Sequence, residues 1–129
     1  MNKEIGFIKA FRFVWFSCIQ TLLHWSLPPA RVILLRWFGA SIGKDSVILN
    51  CSFYNAYHYG FSKLVIGNNC FIGDEVLLDL RGKTILEDYT TLSNRVTTVN
   101  HINVGYADHP LQKRYPTKES YVIFRRGCF

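Results

Sequence analysis

At 129 residues the chain has room for one domain plus a short appendage, and an apolar content of 49% is enough to furnish a core. Fifteen Lys and Arg against nine Asp and Glu leave a formal charge of +6, which suits an anionic partner such as a phosphate group, an anionic lipid or a nucleic acid. No segment resembles a nucleic-acid-binding module, so no nucleic-acid partner is expected, and the four cysteines show no CxxC pairing, which argues against a zinc site or a disulfide framework and for a reducing compartment.

Residues 1–27 are apolar and aromatic, and no charged residue falls between Phe13 and Leu27. As a helix rising ~1.5 Å per residue, that uncharged run falls short of the ~30 Å of a bilayer core. Lys9, Arg12, Ser17, Gln20, Thr21 and His24 gather on half of the helical circumference, with Phe13 and Phe16 intruding. The pattern predicts an amphipathic helix with two open roles. It lies in a membrane interface, giving peripheral membrane contact through residues 1–27, or it packs on the domain or on a neighbouring subunit. A secretion signal is a competing reading of the same run, but no persuasive cleavage site precedes Pro28-Pro29.

Pro28-Pro29 ends this element, and Arg31 to Phe38 reads as a second short helix stopped by Gly39. Residues 1–40 thus form an N-terminal helical segment, and a repeat domain follows over residues 41–129.

The repeat has a period of six. Ile42, Ile48, Ile66, Ile72 and Leu78 keep that spacing, and Leu86 and Leu92 resume it. Four places after each comes a small or modest residue, namely Ser46, Ser52, Cys70, Val76, Gly82, Thr90 and Val96. Six is the period of neither a helix nor a single strand. It fits short strands separated by corners, with the aliphatic residue and the fourth residue after it both turned inward. Three hexads close one turn, so equivalent residues are expected eighteen apart, as Ile48 and Ile66 are. Gly67 and Gly73 suit the bends. The step of eight from Leu78 to Leu86 predicts a two-residue bulge near Arg81-Gly82-Lys83. Residues 53–63 break the pattern and read as an irregular coil or a loop, with His58 in a surface or packing role. Cys70 and Cys128 read as inert residues in small inward slots.

After His101 the periodicity stops. A Gly- and Pro-bearing loop spans about 102–120, and the hexads resume at Val122. A long loop ejected from a compact repeat is characteristic of a functional site.

The repeats, together with the segment LLDLRGKTILEDYTTLSNRVTTVNH, resemble the hexapeptide-repeat acyltransferases, and within them the branch that O-acetylates sugars and polysaccharides. The resemblance covers about residues 31–129. It implies an all-β fold, a left-handed parallel β-helix of hexapeptide repeats carrying the N-terminal helical segment. It also implies a homotrimer, acetyl-CoA as co-substrate, a sugar or polysaccharide acceptor, no metal, and a place in the cytoplasm or on the inner face of its membrane. The family's catalytic histidine occupies the place of His101, in a step similar to Asn100-His101.

The residues support that role on their own chemistry. An alcohol needs a base to attack a thioester near neutral pH, and a histidine can take the proton and return it to the leaving thiolate. His101 stands where the rigid repeat gives way to the loop. A partner must orient its second nitrogen, and either a carboxylate or a backbone carbonyl would serve. Asn100, Asp79 and His109 are read as substrate-binding: Asn100, or else a backbone N–H, as a donor to the oxyanion; Asp79, whose segment LLDLRG resembles the family's acceptor side, for sugar hydroxyls or else as a turn former; and His109 for coenzyme A or else as a solvated loop residue. No Ser or Cys has an activating neighbour, so direct transfer is expected, without an acyl-enzyme. A carbonic anhydrase of the γ type shares this scaffold, but the spacing of His24, His58, His101 and His109 does not suit three zinc ligands.

In the resembling family several hexads follow the segment matched by Val122 to Phe129, and Phe124, Arg125 and Phe129 depart from its pattern. The chain is therefore read as C-terminally truncated, with an open end, a missing part of the coenzyme A groove and impaired transfer. The alternative is a non-catalytic truncated transferase that acts as a binding or scaffold subunit.

Overall fold

The computed structural model describes residues 6–129. Residues 1–5, the start of the segment expected to touch membrane, lie outside the described residues. Helix α1 runs over Phe7–Trp25 and helix α2 over Pro28–Trp37. No Gly or Pro interrupts α1, and it ends before Pro28. The second helix begins three residues earlier than expected. A proline at the first helical position forfeits only an N–H that has no intrahelical partner there, so Pro28 opens α2 rather than merely ending α1. Gly39, at φ +103°, closes α2, with Ala40 N donating to Leu35 O and Gly39 N to Arg36 O. Arg31 is buried between the elements: Nε donates to Leu23 O (2.8 Å) and Nη1 to Ile48 O (3.0 Å). One guanidinium thus satisfies a carbonyl at the end of α1 and one on the first strands.

The rest of the chain visits three parallel sheets in turn. The first round lays down β1 (Ser41–Ile42), β2 (Val47–Ile48) and β3 (Cys51–Tyr54). A four-residue helix, α3 (Ala56–Tyr59), follows. The second round adds β4 (Leu64–Ile66), β5 (Phe71–Ile72) and β6 (Val76–Asp79). The third adds β7 (Lys83–Leu86) and β8 (Thr91–Leu92). Each strand pairs with its counterpart in the next round, giving the orders β1-β4-β7, β2-β5-β8 and β3-β6, and Leu77 bridges to Thr97 to continue the third sheet.

The inward column is as the period of six predicts. Ile42, Ile48, Ile66, Ile72, Leu78, Leu86 and Leu92 are all buried, with Ser46, Cys70, Val76 and Thr90 beside them. Each fully buried aliphatic side chain contributes about 1.5–3 kcal/mol. The stacking interval differs from eighteen. Ile42 pairs with Ile66 and Ile66 with Leu86, steps of 24 and 20 residues, so Ile48 stacks on Ile72 and not on Ile66. The α3 segment lengthens the first round, and the bulge at Arg81-Gly82 lengthens the second. Two smaller expectations also change. The corner after Ile48 is one residue shorter than that after Ile72, since Cys51 pairs with Val76, so Cys51 turns inward and Ser52 is exposed. Cys128, expected in an inward slot, is exposed.

The glycines act by close approach rather than by a bend of their own. Gly67 and Gly73 leave room for the side-chain oxygens of Asp88 and Asn94 from the next round, which accept from Asn68 N (2.7 Å) and Asp74 N (2.9 Å). The left-handed corner conformation falls instead on non-glycine residues, Asp45, Asn69 and Tyr89 at one corner and Glu75 and Arg95 at the next.

The segment expected as a loop over 102–120 carries structure of its own. Strand β9 (His101–Ile102) pairs antiparallel with β10 (Lys118–Glu119), and a 3₁₀ turn spans Pro110–Lys113. Strand β11 (Tyr121–Phe124) then rejoins the first sheet, with Phe124 in register with Leu86.

Candidate active site

The site is built where β6 ends and the bulge begins. Asp79 is the last residue of β6 and its carboxylate is wholly buried. Oδ1 accepts from Asn55 Nδ2 (2.9 Å) and Arg81 N (3.1 Å), and Oδ2 accepts from Asn100 N (3.0 Å) and from the His101 ring at Nδ1. Burial pushes this carboxyl up, but the donors from Asn55, Asn100, His101 and Arg81 together outweigh it and hold it below the usual carboxylate range. An ionised carboxylate only accepts, so Nδ1 of His101 carries a proton, and in the neutral ring Nε2 is then the nitrogen that presents a lone pair. A neutral imidazole fixed in this tautomer can take a proton at Nε2 while the carboxylate stabilises the imidazolium that forms.

Asn100 holds the frame and is itself buried. Nδ2 donates to Asp79 O (2.8 Å), Oδ1 accepts from Gly82 N (2.8 Å), and its carbonyl accepts from Ser120 N (2.8 Å). The two-residue bulge is thereby tied to the start and the end of the hairpin. Gly82 is required by contact: a Cβ there would run into Ser120 O and the Asn100 amide.

Around His101, β10 places Glu119 directly across the strand pair. Glu119 accepts from Tyr59 Oη (3.0 Å) and Arg81 Nε (3.3 Å), and Lys63 Nζ lies 3.6 Å away. His58 stacks on Tyr57, and its buried Nε2 has no hydrogen-bond partner among the described residues. Burial, then the Arg81 charge, pushes His58 below the ordinary imidazole range, with Glu119 opposing.

The four residues singled out in the sequence therefore separate. Asp79 and His101 are joined, and Asn100 lies against both. Asp79 does not face a sugar, because its oxygens are fully occupied and inaccessible. Asn100 does not offer its amide to an oxyanion, because both ends of that amide are bonded within the frame. His109 stands apart from the pair, in the hairpin, with Nδ1 accepting from Leu111 N (3.2 Å) at the head of the 3₁₀ turn. Sequence reasoning missed Asn55, Arg81 and Glu119. The break in the hexads at 53–63 and the extra residues at Arg81-Gly82 were the available signals for the first two. Among the described residues no three His, Cys, Asp or Glu side chains are grouped closely enough to hold a metal ion.

Parallel sheets stacked round by round, with a carboxylate–histidine pair at the mouth of a hairpin, define a rigid scaffold bearing a site able to move a proton. Over 102 residues, 77% of its length, the chain is 30% identical to an Escherichia coli (strain K12) protein described as "Putative colanic acid biosynthesis acetyltransferase WcaF". A Shigella flexneri protein of the same description matches with the same figures. The chain spans about half the length of these curated relatives, 52% in each case. No family model matches the chain, and no solved structure does. The likeness supports an acetyltransferase family.

Proposed function

We propose that this chain transfers an acetyl group from acetyl-CoA to a hydroxyl of a sugar or polysaccharide precursor, and that His101 is its general base. The observation that carries this reading is the buried Asp79 carboxylate bonded to His101 Nδ1. In the proposed step His101 Nε2 removes the proton of the acceptor hydroxyl as its oxygen attacks the thioester carbonyl. The tetrahedral intermediate collapses by breaking the C–S bond, and the imidazolium returns the proton to the thiolate. Asp79 is a positioning residue that never touches substrate. The relatives' description as colanic acid biosynthesis acetyltransferases supports a polysaccharide precursor as the acceptor.

The finer architecture belongs to the same proposal. Three parallel sheets visited in constant order support a β-helix, and the left-handed form is proposed from the six-residue period and its resemblance to the hexapeptide repeats. In that architecture three copies would form clefts between subunits, with His109 and the hairpin reaching toward coenzyme A. A cytoplasmic site of reaction is part of the same proposal, because it rests on acetyl-CoA as the donor. The test is thiol release from acetyl-CoA in the presence of a panel of sugar acceptors. Acceptor-dependent release that is lost in His101→Ala supports the reading, and release indifferent to His101 refutes it.

A further inference from the structure

Helix α1 has two apolar faces, and the protein covers one. On the covered face Ile19 and Leu23 are buried and the Phe16 ring meets that of Phe61. Two polar residues of α1, Gln20 and His24, also turn toward the domain. Gln20 donates from Nε2 to Cys51 O (3.2 Å) and accepts at Oε1 from Phe53 N (2.9 Å), while His24 Nδ1 lies 2.9 Å from Asn50 Oδ1. The opposite face is a continuous stripe. Phe7, Phe11, Val14, Trp15, Leu22 and Trp25 recur along it at helical spacing and are 50–88% exposed. Helix α2 adds Trp37, 79% exposed. All three tryptophans of the chain thus stand in water on these two helices. Both helices lie against the first round of strands, α1 on β3 and α2 on β1 and β2.

Charge decides what fits this surface. From Gly6 to Lys44 there is no Asp or Glu, and Asp45 follows; Lys9 lies toward His58, Arg12 over the Phe16 ring, and Arg36 donates to Ile42 O and Gly43 O, so these cations flank the stripe. A second copy laid on the stripe carries the same excess of positive charge and would leave it uncompensated. An anionic bilayer would neutralise that charge and take up the aromatic stripe, and tryptophan favours the headgroup boundary. The bonds from Gln20 and His24 hold α1 on the domain, so it can meet a bilayer only lying flat. No helix among the described residues is long and apolar enough to cross one.

We propose that the outer faces of α1 and α2 form a docking surface for an anionic lipid bilayer, entered by Trp15, Trp25 and Trp37. The proposal is independent of the acetyl-transfer reading and is tested without any activity assay. The full chain is floated with phosphatidylcholine vesicles and with vesicles in which about one third of the lipid is phosphatidylglycerol, while tryptophan emission is followed. Flotation with the anionic vesicles, a blue shift, and release as salt rises are expected. The double variant Phe11→Ser, Trp25→Ser should bind at least about tenfold more weakly, with an unchanged circular dichroism spectrum. If that variant misfolds, the lipid and salt dependence of the native chain decides the matter. Equal flotation on neutral vesicles, no flotation, or a blue shift that depends on protein concentration without lipid would each overturn the proposal, the last by showing that a second copy covers the face.

Discussion

The ring of His101 is held at Nδ1 by the wholly buried carboxylate of Asp79, 22 residues earlier and one round away in the fold. If His101 is the base and Asp79 its positioner, His101→Ala should lower kcat about 10²- to 10⁴-fold with little change in the KM for acetyl-CoA. Asp79→Asn should also act on kcat, since an amide at that place no longer enforces the tautomer. His109→Ala should act much less on kcat, because its Nδ1 is engaged with Leu111 N within the hairpin. Steady-state kinetics on the three variants checks this, and equal losses from His101→Ala and His109→Ala would refute the assignment.

The same carboxylate gives the fold a pH dependence. Its value in the folded chain lies below the usual range, so the ionised form favours folding. That contribution is complete above an unfolded aspartate pKa of about 3.9 and is lost as pH falls through the lower folded value. The thermal stability of the native chain should therefore fall progressively below about pH 4, and that part of the slope should be missing in Asp79→Asn. Parallel curves for the two proteins would show that the Asp79 charge adds no stability.

Much of the fold was legible because stacking rounds impose a period that local propensity does not. Ile72 and Leu78 face inward for the same geometric reason, whatever strand each occupies. The interval between rounds was not legible, because α3 and the Arg81-Gly82 bulge add residues without disturbing the inward column. His101 was visible as the residue at which the period fails. Its carboxylate partner was not, because Asp79 Oδ2 meets His101 only after the chain has completed a further round. Glu119 was hidden more deeply still. Its place opposite His101 depends on the antiparallel pairing of β9 and β10, and neither two-residue strand carries a sequence signature.

The bulge tests the frame without touching the pair. Gly82 sits where a methyl group would collide with Ser120 O and the Asn100 amide, and the two-residue bulge is anchored by Asn100 itself. Gly82→Ala should cost about 1–3 kcal/mol, as overpacking does. Urea unfolding measures the loss. Full stability with unaltered kinetics would show that the hairpin base yields easily.

The thiols report on the last hexad of the described chain. Cys51 and Cys70 are buried, and burial pushes the Cys51 thiol well above its ordinary value, whereas Cys18 and Cys128 are exposed. Two thiols should react quickly with a chromogenic disulfide in the native chain, and all four after denaturation. If Cys128 is protected and only Cys18 reacts, the last hexad is covered in solution, by another copy or by a repacked end.

The strongest test of the architecture is Ile72. It is fully buried in the column of the second sheet, paired with Ile48 in the round before and Leu92 in the round after. Ile72→Ala should destabilise by about 2–5 kcal/mol, because the neighbouring rounds are held apart by backbone pairing and cannot collapse onto the vacated space. Ile72→Asp should abolish folding, since no donor in an apolar column can pair its carboxylate. Ile85, one residue from buried Leu86 on β7, is only partly buried and offers a control: Ile85→Ala should cost distinctly less. Circular dichroism and urea titration of the three variants decide it. Similar small losses at Ile72 and Ile85 would mean that inward and outward positions do not alternate as described, and the stacked parallel sheets would have to be abandoned.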